Sequence, residues 1–250
     1  MTDDEALWSA FLSFIDRAEA AQNPAALFGG FRDEMIAAGI AEERATDSIR
    51  TVMDMATVRR DWMAPMFDRI YSFGEPGFSV QPNALLVETV SGREPGKALD
   101  IAMGQGRNAL YLASQGWDVT GFDVSREGIA AAQRAATERD LQIEALVSAH
   151  DEFEYGSSAW DLIVMTYALV PVTDDPFAAT LVAALRSGGL IVTESYATDP
   201  KRPPRPVEID PDLLRQAYSS MRILKFETRE DVVDWSDEPG VVVRMSAIKD

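Results

Sequence analysis

The feature that most constrains this chain is a short apolar strand that runs into a glycine turn and directly on into a helix: Ala98-Leu99-Asp100-Ile101-Ala102-Met103-Gly104-Gln105-Gly106-Arg107-Asn108-Ala109-Leu110. Lys97 to Met103 carries the apolar run, and Asn108 to Gln115 carries helical spacing closed by Gly116. Two glycines at such a junction let ligand atoms approach the backbone with no Cβ in the way, and the helix start presents N–H groups that lack acceptors. The next strand, Trp117 to Phe122, leads to Asp123, 123 − 104 = 19 positions after Gly104, where a carboxylate can accept hydrogen bonds from both ribose hydroxyls. Taken singly, the turn is a tight turn and Asp123 a helix cap ahead of Ser125. Together they imply an adenosine-containing ligand.

Downstream the alternation continues. Arg126 to Asp140 reads as a helix, Ile143 to Val147 and Asp161 to Thr166 as strands, Pro176 to Arg186 as a helix and Leu190 to Ser195 as a strand. Strands alternating with helices predict right-handed βαβ units, hence a doubly wound parallel sheet of Rossmann-like α/β class whose ligands bind at the carboxyl ends of the strands. Asp210 to Tyr218 reads as one more helix, with Asp210 as N-cap and Pro211 at its first position. The last two strand-like runs, Arg222 to Thr228 and Val241 to Ile248, are joined through Ser236-Asp237-Glu238-Pro239-Gly240 and suit an antiparallel hairpin.

Upstream, residues 1–80 read as a helical region, and 81–250 as the ligand-binding domain. Thr2-Asp3-Asp4-Glu5 has capping-box spacing ahead of Leu7, Phe11, Phe14, Ile15 and Ala18. Pro24 opens a second helix with Leu27, Phe31, Met35 and Ile36, stopping near Gly39; a third runs from Ala41 through Met53 and Val58 toward Trp62, with a break at Pro65. A loop with Gly74, Pro76, Gly77 and Pro82 precedes a helical stretch from Asn83 to Val90. The aromatic residues of this region are core packing, or with Trp62, Tyr71 and Phe78 they line a pocket beneath a lid, or they form a homodimer face.

Composition narrows the chemistry. The chain of 250 residues has no Cys and a single His, which removes disulfides, thiolate metal sites, a cysteine nucleophile and multi-His centres, and no metal is expected. A formal charge of −18 opposes attraction to nucleic acid or anionic membrane, leaving small molecules as the expected partners. The basic cluster Lys201-Arg202-Pro203-Pro204-Arg205 reads as an exposed loop, with an acidic-substrate contact as the alternative. The acidic start Asp3-Asp4-Glu5 is the opposite of a secretory n-region and no apolar run is long enough to span a bilayer, so a cytoplasmic setting is expected.

Gly104-x-Gly106-x-x-Ala109 also fits a relaxed nicotinamide fingerprint. Asp100, before the glycines, separates the two readings, because a carboxylate there repels a pyrophosphate yet can order the cationic amino acid part of S-adenosylmethionine. Leu185-Arg186-Ser187-Gly188-Gly189-Leu190-Ile191-Val192, a helix stopping at glycines and turning into a strand, and the terminal hairpin point the same way. Over roughly residues 80 to 250 the chain resembles the class I S-adenosylmethionine-dependent methyltransferases, and Gly104-Gln105-Gly106-Arg107-Asn108-Ala109-Leu110-Tyr111-Leu112-Ala113 is most similar to small-molecule methyltransferases of the tellurite-resistance type. The resemblance implies that S-adenosyl-L-methionine is the cofactor. It places Asp100, Ala102, Gly104, Gly106 and Asn108 on the methionine and adenosine side, Asp123 on the ribose and Val124 on the adenine face. Asp151 is the first choice beside the adenine amine, with His150 and Glu152 as register alternatives. Ala102 stands where the family has a glycine, implying a narrower pocket or a shifted backbone; a non-catalytic module of the same fold is the alternative reading.

A sulfonium methyl is already activated, so approach and alignment suffice for in-line displacement, in keeping with the absence of a triad. Where an acceptor proton must leave, Tyr167, at the position facing the methyl group, His150, Tyr71 and Glu75 are the candidates.

Overall fold

The computed structural model describes residues 3–56, 58–75, 77–199, 208–234 and 239–250. Thr2 of the capping box, Pro76, the Lys201–Arg205 cluster and Ser236-Asp237-Glu238 lie outside the described residues. The chain divides into two compact units, Met1–Phe78 with Ser125–Gly128, and Ser79–Val124 with Ile129–Asp250.

The first unit is helical: α1 (Asp3–Arg17), α2 (Pro24–Ala37), α3 (Glu42–Ala56) and α4 (Met63–Tyr71). Each helix buries one stripe, Trp8, Phe11 and Ile15 from α1, Leu27, Phe31 and Met35 from α2, Ala45, Val52 and Ala56 from α3, and Met66 and Ile70 from α4. Asn23 caps α2 by accepting from the Ala26 N–H, with Pro24 pre-set at the first position. Aromatic contacts knit the stripes together, Phe11 stacking on Phe28 at 5.3 Å and meeting Phe31 at 5.5 Å. The third helix ends earlier than its periodicity predicts. It stops at Ala56, Val58 is exposed, and Trp62 becomes the residue that precedes α4. Pro65 therefore falls in the first turn of α4, where its missing N–H costs nothing, and does not mark a break. Trp62 is buried, with its Nε1 donating to the Arg59 carbonyl at 3.1 Å, so packing accounts for it.

The second unit carries α5 (Ala84–Val90), β1 (Lys97–Ile101), α6 (Arg107–Ser114), β2 (Asp118–Asp123), α7 (Arg126–Glu138) from Ile129 onward, β3 (Glu144–Val147), β4 (Trp160–Thr166), α8 (Asp175–Ala184), β5 (Leu185–Ala197), β6 (Glu208–Ile209), α9 (Pro211–Ala217), β7 (Arg222–Val232) and β8 (Pro239–Ile248). Among the described residues they form an eight-stranded sheet of order β3-β2-β1-β4-β5-β8-β7, with β6 beside β5. The pairs from β3 to β5 are parallel and the last two are antiparallel. Chain order reverses between β1 and β4, which makes their carboxyl ends the switch point.

The central strands are apolar along their whole length because both faces are covered. Ala98, Leu162, Val164 and Val192 pack with Leu86, Leu112 and Ile129 on one side, while Leu99, Ile163, Ile191 and Met245 pack with Phe177, Leu181 and Leu214 on the other. Asp210 caps α9 through the Asp212 and Leu213 N–H groups, as its sequence predicts. The two-residue β6 and the length of β5, which begins at Leu185 rather than Leu190, are not legible in the sequence. Arg186 to Gly189 is absorbed as a register shift between Trp160 and Leu162, with Gly188 at φ +79°.

Candidate cofactor and acceptor site

β1 ends at Ile101 and the chain enters three left-handed positions, Ala102 at φ +56°, Gly104 at +53° and Gly106 at +83°. Glycine at 106 is required twice over, since a Cβ there would meet the Ala132 Cβ at 2.9 Å. Glycine at 121, opposite Asp100 in β2, leaves room for the turn, because a Cβ there would meet Met103 Sδ at 2.4 Å. The Met103 N–H donates to the Phe122 carbonyl at 3.0 Å and the Gly104 N–H to Asp123 Oδ2 at 2.9 Å, so the turn is held by the end of β2. Asp123 is buried, and Ser125, not Asp123, accepts the capping bond from the Gly128 N–H. A carboxylate accepts several hydrogen bonds, so the Gly104 contact is compatible with two further hydroxyl donors.

Ala102 keeps the backbone conformation that a glycine prefers, so its methyl does not pull the turn out of shape; it strains it. Left-handed backbone costs a non-glycine residue about 1 kcal/mol. Ala102→Gly is expected to be neutral to stabilising by up to about 1 kcal/mol in denaturant unfolding, the relief of strain being offset in part by added unfolded-state freedom. A clear loss of stability would show that the methyl packs usefully.

Asp100 is 2% exposed, and its Oδ2 has no hydrogen-bond partner among the described residues. Burial pushes its carboxyl up to about 7, opposed by the Arg107 guanidinium and the Ala109 backbone N–H and helped by the charge of Asp123. Arg107, at the start of α6, donates to the Gln81 carbonyl and to Asp234 Oδ1, each at 3.0 Å. Asp234 Oδ2 also accepts from Asn83 Nδ2 at 2.7 Å, tying the segment ahead of α5 to the glycine turn.

Asn108, counted among the cofactor contacts, lies at the start of α6. Its Oδ1 accepts from the Asn83 N–H and its Nδ2 donates to Thr166 Oγ1, both at 2.9 Å, so the amide braces the end of β4 against α6. Val124 is half-buried beside Asp123. In the loop after β3, Asp151 and Glu152 are exposed, and the His150 ring stands edge-on to Phe177 at 5.5 Å. Tyr71 lies in the helical unit, 6.2 Å from the Phe67 ring and 5.8 Å from the Phe78 ring.

Tyr167 follows β4 in left-handed backbone, φ +54°, and its hydroxyl donates to Glu194 Oε1 at 2.7 Å. Burial first, then the charge and hydrogen bond of Glu194 and the charge of Asp234, push the phenol well above its ordinary range, with Arg244 opposing. That environment holds the phenol in its protonated form at neutral pH. Glu194 Oε2 in turn accepts from Arg244 Nε at 2.7 Å, and Arg244 also reaches Asp231 at 2.6 Å and Glu227 at 3.3 Å. Sequence reasoning passed over Arg107, Asp234, Glu194 and Arg244. The available signal was one lone acid and one lone base within two apolar strand patterns, and the register indeed sets Glu194 opposite Arg244. The Asp234 contacts, spanning 151 and 127 positions, had no local signal.

The cavity between residues 80–82 and α6, about 310 Å³ and lined by Arg107, Leu110, Tyr111 and Arg139 among others, contains none of the candidate site residues. No helix among the described residues is long and apolar enough to cross a membrane.

Comparison with known proteins agrees with this geometry. Residues 98–189 match the family described as a methyltransferase domain. Hemagglutinin 1 of Eikenella corrodens is 28% identical over 172 residues, 65% of this chain and 55% of that protein. Ribosomal RNA small subunit methyltransferase C of Alcanivorax borkumensis is 29% identical over 104 residues, 40% of this chain and 30% of that protein. The chain thus spans about half or less of the length of these curated relatives. Among solved structures, TehB from Haemophilus influenzae shares the fold with a TM-score of 0.57 at 19% identity, over 75% of this chain and 67% of that one. The sheet order, the glycine turn and the family match agree, and residues 98–189 form a methyltransferase domain.

Proposed function

We propose that this chain transfers a methyl group from S-adenosylmethionine to a small-molecule acceptor by in-line displacement. The observation that carries the reading is Asp100: a buried carboxyl with an unpartnered oxygen, set beside a glycine turn, fits the ammonium of a bound amino acid moiety and is unsuited to a pyrophosphate. When bound, the cofactor supplies an electrophilic methyl carbon. Asp100 orients the cationic end, Asp123 accepts from the ribose hydroxyls, and Val124 packs on the adenine with Asp151 at its rim. Acceptor groups approach at the carboxyl ends of β1 and β4, where Asn108 holds Thr166 in place. Where an acceptor proton must leave, it passes to solvent or to one of the candidate groups His150, Tyr71 and Glu75.

Residues 1–80 serve in this proposal as a cap and 81–250 as the cofactor domain, in a cytoplasmic setting. Self-association through the amino-terminal helices is testable by light scattering.

Calorimetry with S-adenosylhomocysteine tests the proposal. The wild-type protein is expected to bind, and absence of binding would remove the enzymatic reading of this chain. Asp123→Ala is expected to lower affinity by about 3 kcal/mol, on the order of 100-fold, as charge-assisted hydrogen bonds are lost. Unchanged affinity would show that the ribose contact is misplaced.

A further inference from the structure

Helical spacing sets Arg107, Leu110, Tyr111 and Ser114 on one face of α6, while Asn108, Ala109 and Leu112 are buried on the other. The first face is one wall of the cavity of about 310 Å³. The second wall is Val80-Gln81-Pro82, and the third is the turn after α7, which brings Arg139 and Leu141. Local hydrogen bonds fix these walls. The Leu141 N–H donates to the Ala136 carbonyl at 2.9 Å, with Asp140 in the left-handed backbone, φ +53°, that ends the helix. Arg107 joins the other two walls by donating to the Gln81 carbonyl at 3.0 Å.

Among the described residues, two guanidinium groups line the cavity and no carboxylate does. Arg107 is paired with Asp234 at 3.0 Å, so the charge left in the cavity is that of Arg139. Glu138 and Asp140, its neighbours along the chain, are exposed and do not line the cavity. The Arg139 guanidinium and the Tyr111 hydroxyl have no side-chain or backbone partner among the described residues, and both are donors. A chain with a formal charge of −18 repels anions over most of its surface, which makes this cleft a local exception. Its remaining surface is largely apolar: Val80, Pro82, Leu110 and Leu141 line it, and Val80 is left 59% exposed. An occupant with an apolar body removes that surface from water.

We propose that this cavity is a second ligand site, for a small carboxylate carried on a single apolar ring: Arg139 holds the carboxylate, and Tyr111 with the four apolar side chains covers the ring. A volume of about 310 Å³ is at the small end of ligand sites and suits one ring with a short acid chain. A guanidinium can meet both oxygens of a carboxylate at once, and the Tyr111 phenol is one further donor in the same cavity. An ammonium meets repulsion from Arg139, and an uncharged ring leaves that charge to water. Every lining residue belongs to the second unit, and none is assigned to the cofactor or to the methyl acceptor. The site therefore goes beyond the methyltransferase reading and does not depend on it.

The test titrates phenylacetate, phenethyl alcohol, phenethylammonium and acetate into the full chain, followed by NMR of the backbone amides. Phenylacetate is expected to bind at least about tenfold tighter than each of the others and to shift the amides of Gln81, Tyr111, Ser114 and Leu141. Arg139→Gln removes an exposed side chain that bonds to nothing among the described residues. It is expected to bring phenylacetate to within about twofold of the alcohol with the melting temperature nearly unchanged. Ser114→Asp, which sets a carboxylate in the cavity wall, is expected to abolish the preference for the anion independently. Binding of no probe, acetate binding as tightly as phenylacetate (an adventitious ion only), preference for the ammonium, shifts that miss the lining residues, or an Arg139→Gln protein that keeps the preference would each overturn the proposal. Absence of S-adenosylhomocysteine binding would remove the methyltransferase reading and leave this one standing.

Discussion

Replacing Arg244 with Met is expected to lower the stability of the fold by about 3 to 5 kcal/mol, because it leaves the Glu194 carboxylate buried without its partner. The Glu194 side chain is fully covered and that of Arg244 is 9% exposed, so water cannot take over the lost hydrogen bonds. Register explains the exclusivity of the pair: Glu194 in β5 faces Arg244 in β8, which faces Glu227 in β7, and the three side chains line up across the sheet. Removing both charges together, as Glu194→Leu with Arg244→Met, should restore most of the loss, since a well-packed apolar pair avoids the desolvation that the ion pair suffers. Urea unfolding of the single and double variants measures this. A single variant within about 1 kcal/mol of wild type would mean that Glu194 is relieved by protonation or by solvent.

The second large effect is a dependence on pH that points the opposite way from ordinary surface carboxylates. Asp100 titrates at about 7 in the fold against an ordinary 3.8, so between those values the native state holds a proton that the unfolded chain has released. Its contribution to stability is therefore full below about pH 4 and lost as pH rises through 7, a swing on the order of 4 kcal/mol at most. Asp100→Asn keeps the shape and the neutral state. It is expected to match wild type within about 1 kcal/mol at pH 4 and to be more stable by a few kcal/mol at pH 8. Asp231 acts with the opposite sign in a separate window. Its carboxyl is held at about 2, first by hydrogen bonds from Arg244 and Arg229, so its contribution is present above 3.8 and fades as pH falls toward 2. The difference between wild-type and Asp100→Asn denaturation curves from pH 4 to 8 thus reports on Asp100. Parallel wild-type and Asp100→Asn profiles would show that the buried oxygen is solvated after all.

Much of the fold was legible because it is written locally. The strand, turn and helix around Gly104 follow from an apolar run, two glycines and a helical repeat, each confined to a few residues, and the parallel alternation and terminal antiparallel pair follow in the same way. Helix ends were less secure. The Ala56 stop of α3 depends on burying Trp62 and exposing Val58, a choice made by packing and not by periodicity. Among site residues, the sequence picked out Asp100 and Asp123 by charge and spacing, but it could not tell which oxygen would be left without a partner. It counted Asn108 with the ligand contacts but gave no hint of the hydrogen bonds that the two ends of its amide make with Asn83 and Thr166.

What the sequence determined by itself is the frame: a doubly wound sheet, a glycine turn with an acid before it and another 19 positions after Gly104, and chemistry that does not depend on Cys or on several His. These are short-range properties, carried by backbone preference, apolar spacing and residue inventory. Only the tertiary structure decided which charges meet. Glu194 and Arg244 become partners through strand register, Asp234 reaches Asn83 and Arg107 across most of the chain, and the Tyr167 hydroxyl donates to the buried Glu194 carboxylate, 27 positions away. Electrostatics at a site depends on distance in space and on exclusion of water, and neither is a property of neighbouring positions along the chain.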